Sequence, residues 1–162
     1  MNIRPGQEAD LHAINEIYNF YVETSYATFD ADPISLDERK RWFEQFGDGR
    51  YRLFVAHDES VLGFAYSAQW LSTRKAYETS ISTTVYVKDG THRRGVGRLL
   101  YAALFDAIAG EDLHRAYAGI ALPNDASVGL HEAFGFRRVA YFTEQGRKFD
   151  RYWDVAWFEK EL

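Results

Sequence analysis

The sequence predicts a mixed α/β (α+β) fold, a sheet of about seven strands flanked by about four helices. Apolar residues alternate with a period of two in some stretches and recur at helical spacing in others, in the order βααβββαβαββ. That order lacks the strict strand–helix alternation of a doubly wound fold. Glycine, proline and Asn/Asp clusters punctuate the stretches, and no repeat, low-complexity tract or linker divides them. With 162 residues and 46% apolar content, one domain spanning 1–162 is expected.

Each element follows from local chemistry. Ile3-Arg4-Pro5 reads as a short edge strand, because proline cannot donate to a ladder. Glu8 and Asp10 open a helix with acidic residues in its first turn, and Leu11, Ile14, Ile17, Tyr18 and Tyr21 form one buried face. A loop dense in hydroxyls and rings follows. Ser35 and Glu38 have capping-box spacing and start a second helix that ends before Gly47. Strands over 51–56 and 61–68 pair as a hairpin, and 77–87 is a long strand with Glu78 and Ser82 on one face. A helix then runs to Gly110, a strand over 116–122 stops at Pro123, and a helix over 126–134 closes at Gly135. Two final strands, 137–143 and 149–158, flank a turn at Gln145-Gly146.

Composition excludes several classes of function. A formal net charge of −5 disfavours general nucleic-acid binding. The chain has no cysteine, which removes disulfides, thiolate metal sites and a cysteine nucleophile. No His/Asp/Glu group has metal-ligand spacing, and His12, His57 and His114 read as surface residues. No apolar run approaches the ~20 residues of a membrane span, and the first residues do not resemble a secretory leader, so a cytoplasmic protein is expected. Aromatic residues make up 17% of the chain, enough to line a cleft or a subunit interface as well as a core.

The stretch over 85–104 carries the strongest chemical signal. A strand ending Val85-Tyr86-Val87 leads into a loop with Arg93, Arg94, Gly95, Val96, Gly97 and Arg98, followed by an apolar-periodic helix. The first turn of that helix offers free N–H groups and a positive dipole end, and glycines let an anion approach the backbone. The dinucleotide fingerprint fails, because Leu100 stands where a third glycine is needed, and the P-loop pattern lacks its Gly-Lys-Ser/Thr.

His92-Arg93-Arg94-Gly95-Val96-Gly97 matches the GNAT N-acetyltransferase pattern of Gln or Arg, two residues, Gly, one residue, then Gly or Ala, with His92 departing from it. Tyr18-Asn19-Phe20-Tyr21, Thr28-Phe29-Asp30, Arg74-Lys75-Ala76-Tyr77, Leu130-His131-Glu132 and Gly146-Arg147-Lys148-Phe149 resemble the phosphinothricin and methionine sulfoximine acetyltransferase branch. The resemblance covers nearly the whole chain. It implies a mixed, mostly antiparallel GNAT-type sheet, acetyl-CoA as co-substrate, no metal, a small-molecule amine as acceptor and a homodimer.

It also implies roles. Amides from Arg93 to Arg98 would hold the pyrophosphate, Val85, Tyr86 and Val87 would pair with the pantetheine arm, and Asn124 and Ser127 would reach that arm or the thioester. Phe29, Arg74 and Tyr77 are candidate substrate contacts, with Tyr26 and Trp70 as further walls of the acceptor pocket. His131 stands where many relatives carry a general-acid tyrosine. Ser82 stands where the branch has a glutamate read as the base, and serine cannot take a proton from an ammonium unaided. Glu78 would then act only through water. For each of these residues a packing or surface role is the competing expectation. An acyl-CoA sensor without turnover and a peptide or protein N-acetyltransferase are the competing functions.

Overall fold

The computed structural model describes residues 1–71, 73–91 and 94–162. Seven strands form one sheet: β1 (Asn2–Pro5), β2 (Leu53–His57), β3 (Val61–Gln69), β4 (Ser80–Val87), β5 (Arg115–Ala121), β6 (Arg137–Lys148) and β7 (Arg151–Glu161), in the order β1-β2-β3-β4-β5-β7-β6. Every neighbouring pair is antiparallel except β4 and β5. The expected fold class and element order are therefore found, with β1 at the sheet edge where Pro5 is tolerated.

Four helices cover the sheet: α1 (Leu11–Thr24), α2 (Leu36–Phe43), α3 (Val96–Ile108) and α4 (Asp125–Ala133). Leu11, Ile14 and Ile17 of α1 pack with Leu53, Val55 and Phe64 on one face. Leu100, Tyr101 and Leu104 of α3 pack with Ala56, Leu62 and Ala65 on the other. The capping box of α2 forms as its spacing predicts: Glu38 N–H donates to Ser35 Oγ, and Ser35 N–H donates to Glu38 Oε2 at 2.9 Å.

Two boundaries differ from the sequence reading. β4 begins at Ser80 rather than at residue 77, because Lys75–Tyr77 curl into a 3-10 turn. Glu78 therefore lies in a turn and does not share a strand face with Ser82. The last hairpin turns at Phe149-Asp150, both at positive φ, rather than at Gln145-Gly146. Gly146 instead stays in β6 at an irregularity of register, where the Phe29 ring occupies the space of a Cβ.

A buried ammonium joins this hairpin to the loop after α1. Lys148 is 7% exposed, and its Nζ donates to the carbonyls of Ser25 at 2.7 Å and Thr28 at 2.8 Å. A positive charge there also suits the C-terminal dipole of α1. Tyr26, in the same loop, stacks on Trp153 with ring centroids 3.7 Å apart. Lys148→Met is expected to lower the unfolding free energy by about 1–3 kcal/mol, the cost of stranding buried acceptors. Urea melts of the two proteins check this.

Candidate active site

The site begins where two strands part. β4 and β5 pair only through Ser80–Arg115, Ile81–Ala116 and Ser82–Tyr117. Beyond Ser82 each strand stays bonded on its far side, β4 to β3 and β5 to β7, while the facing edges diverge. A cleft of about 880 Å³ opens there, lined by Val85, Tyr86 and Val87 from β4 and by residues 118–121 from β5. Facing edges without a strand partner offer backbone donors and acceptors to a bound chain.

The cleft wall at Val87 and Leu130 lies against the first turn of α3. Gly95 is its N-cap at φ 75, a left-handed conformation that suits glycine. The N–H groups of Val96, Gly97 and Arg98 follow in the first turn, where a helix has no internal acceptors. Gly97 lies so close to the cleft wall that a Cβ would come within 3.2 Å of Leu130 and 3.7 Å of Val87. Arg94 and Arg98 are exposed, and Arg94 lies 3.7 Å from Asp58. Arg93 and His92 lie outside the described residues.

The start of α4 lies on the same cleft. Asn124 caps it, its Oδ1 accepting from Ser127 N–H at 3.1 Å, and both residues line the cavity. One turn on, His131 is 3% exposed. Its Nδ1 lies 2.7 Å from the Ser127 carbonyl, which can only accept, so Nδ1 carries the proton. Nε2 then accepts from the Tyr101 hydroxyl at 2.8 Å. Burial holds the imidazole below its ordinary value and pushes the Tyr101 phenol up, so both are neutral near pH 7. Tyr101 escaped the sequence reading because its helical spacing marks it as core; only its contact with His131 across the cleft shows more.

The apex of the cleft is where the strands converge, at Ser82 and Tyr117. Ser82 lines it, with Oγ 3.4 Å from the carbonyls of Ala68 and Gln69. Phe29, Tyr26 and Trp70 also line the cavity, as do Tyr117 and Trp157, which the sequence reading did not single out. Tyr26 donates to the Pro123 carbonyl at 2.6 Å and so ties the loop after α1 to the start of α4. Glu78, Arg74 and Tyr77 are exposed on the turn before β4 and do not line the cavity. Among the described residues no cluster of three His, Cys, Asp or Glu is placed to hold a metal ion, and no helix is long and apolar enough to cross a membrane.

A helix N-terminus capped by Gly95 thus stands beside a cleft between two diverging strand edges. Residues 3–157 match the acetyltransferase (GNAT) domain family, and the chain belongs to it as an N-acetyltransferase. It is 52% identical to a phosphinothricin N-acetyltransferase of Streptomyces coelicolor, over all of this chain and 96% of that protein. It is 32% identical to the L-methionine sulfoximine/L-methionine sulfone acetyltransferase of Pseudomonas aeruginosa, over 99% of this chain and 94% of that one. A solved acetyltransferase structure from Salmonella typhimurium with acetyl-CoA superposes with a TM-score of 0.93, at 31% identity, covering 99% of this chain and 93% of that chain.

Burial of neutral His131 makes stability depend on pH. In the unfolded chain the imidazole takes its proton near pH 6.5, before the folded one does. Its contribution is thus complete above that value and is lost as pH falls below it. Acidification from about pH 7.5 to about pH 5.5 is expected to destabilise His131→Asn less than the parent chain, measured by urea melts at both values.

Proposed function

We propose that this protein transfers the acetyl group of acetyl-CoA to the primary amine of a small amino-acid-like acceptor. The observation that carries the reading is the cleft between β4 and β5, whose wall residues Val87 and Leu130 lie against Gly97 in the first turn of α3. Bound there, the co-substrate supplies a thioester-activated acetyl group. Amides of α3 from Val96 onward and the arginines around them hold its diphosphate, and the edge from Val85 to Val87 orients its amide-bearing arm. Asn124 and Ser127 stand beside that arm.

The chain has no cysteine, so the acceptor nitrogen attacks the acetyl carbon directly. An N–C bond forms as the C–S bond breaks, and one proton must pass from the amine to the departing sulfur. On the acid side, Tyr101 and His131 act as a pair. The Tyr101 hydroxyl gives its one proton to His131 Nε2 at rest, and turning that O–H from Nε2 toward the departing sulfur supplies a hydrogen bond to developing negative charge. On the amine side, Ser82 and Thr84 present hydroxyls that accept from the nitrogen and pass its proton to water. Glu78 lies too far out on its turn for a direct part and contributes through solvent alone.

The same reading includes a second copy of the chain. β6 is an edge strand, and Val139, Tyr141, Phe142, Phe149 and Tyr152 of the last hairpin stand 45%, 49%, 47%, 52% and 55% exposed. An apolar edge of this kind calls for a cover, and a homodimer through this hairpin supplies it. A cytoplasmic location accompanies the use of acetyl-CoA.

Three outcomes check the reading. Thiol release from acetyl-CoA is expected with free amino acids or their analogues, and His131→Ala is expected to lower kcat by about tenfold to a hundredfold with acetyl-CoA affinity unchanged. Binding without thiol release from any amine would leave only an acyl-CoA sensor. In sedimentation, the parent chain is expected as a dimer and Tyr152→Glu as a shifted equilibrium toward monomer.

A further inference from the structure

The apex of the cleft carries a cluster of aromatic rings that the reaction itself does not require. Ser82 pairs with Tyr117, and Gly119 pairs with Trp157. Tyr117 and Gly119 are two apart on β5, so all four positions share one sheet face. Gly119 has no side chain, and the Trp157 indole lies across it, 2.9 to 3.0 Å from where a Cβ would stand. Trp70, at the end of β3, stacks on Tyr117 with centroids 4.5 Å apart and meets Trp157 edge to face at 5.0 Å. All three rings are only partly buried and all three line the cavity. Among the described residues lining that cavity there is no Asp, Glu, Lys or Arg.

From this we propose that Trp70, Tyr117 and Trp157 form the subsite for the acceptor's side chain, and that the subsite selects amino acids with an uncharged apolar, thioether or aromatic side chain over those with an anionic one. The inference rests on the acetyl-transfer reading above and narrows its acceptor. The exposed parts of these rings offer an apolar side chain contact area and offer a thioether favourable sulfur–ring contacts. A side-chain carboxylate or phosphinate placed there loses hydration and meets no cation in return. The position of the surface fits the geometry of attack. It begins at the paired Ser82 and Tyr117, where the strands converge and the inner end of a ligand lying between them stops.

Initial rates of thiol release with L-phenylalanine, L-methionine, phosphinothricin and L-glutamate test it. We expect kcat/KM for the first two to exceed that for the last two by about tenfold or more, the scale on which an apolar pocket discriminates. Trp157→Leu and Trp70→Leu are each expected to raise KM for phenylalanine with kcat and acetyl-CoA affinity little changed, and to narrow the gap between the two groups. Equal or better turnover of phosphinothricin or glutamate overturns the inference. Should no amine be turned over, the transfer reading fails by itself, and the subsite is still read by calorimetry with CoA present. N-acetyl-phenylalanine is then expected to bind about tenfold tighter than N-acetyl-glutamate, and equal binding overturns the subsite.

Discussion

The parting of β4 from β5 is the constraint on which the site depends. β4 is bonded to β3 along Ile81 to Val87, and β5 to β7 along Arg115 to Ala121, but they share only three register pairs with each other. Each strand is therefore held in place by its far neighbour, and opening the near edges does not unravel the sheet. The unmatched N–H and C=O groups, which would be a liability inside a core, face the cleft instead. The single parallel junction of the sheet is the place where this occurs, because its strands are joined through a helix and need not stay in contact along their length. Both helices that start at the gap, α3 at Gly95 and α4 at Asn124, then present N-terminal N–H groups to whatever lies in it.

A second coupling closes the acceptor side. The loop after α1 carries Tyr26 and Phe29 into the cavity wall, and it has no regular structure to hold it there. Lys148 supplies that hold from more than a hundred residues away, with Trp153 stacked on Tyr26 and Gly146 making room for Phe29. Trp153 in turn donates from Nε1 to the Lys148 carbonyl at 3.0 Å, so the pin is itself braced. The wall is thus assembled from both ends of the chain. A hairpin whose outer surface is apolar and exposed is also the one that fixes the wall, which links coverage of that surface to the order of the site.

Features that rest on local chemistry were legible in the sequence. The Ser35–Glu38 box, the edge placement of Pro5, and the glycine turn that starts α3 at Gly95 each follow from a few neighbouring residues. Misreadings arose where a local pattern ran past its physical end. Alternating residues suggested a strand back to Tyr77, yet Lys75–Tyr77 form a 3-10 turn and leave Glu78 outside the cleft. Gln145-Gly146 has turn composition, but the glycine serves a packing contact with Phe29, and Phe149 and Asp150 take the positive φ angles of the turn. Tyr101, Tyr117, Trp157 and Lys148 were not legible at all. Their roles come from cross-strand register or from contacts between distant segments, and one sequence carries no marker for either.

A serine at position 82, where the resemblance leads one to expect a glutamate, suits the character of the cavity. A carboxylate beside an amine accepts its proton, but it also attracts the ammonium and so stabilises the form that cannot attack. A lining of rings, hydroxyls and amides works in the opposite direction, because burial without a counter-charge disfavours the ammonium and favours the free amine. Each unit by which the bound amine's pKa falls is worth about 1.4 kcal/mol, a factor of ten in the population able to react. Ser82 and Thr84 then need only accept a hydrogen bond from a nitrogen that is already neutral, which a hydroxyl does well. The same absence of charge that favours the free amine withholds a partner from an anionic side chain. A serine in place of a carboxylate base and the proposed preference for an uncharged acceptor side chain therefore follow from the same neutral, aromatic lining.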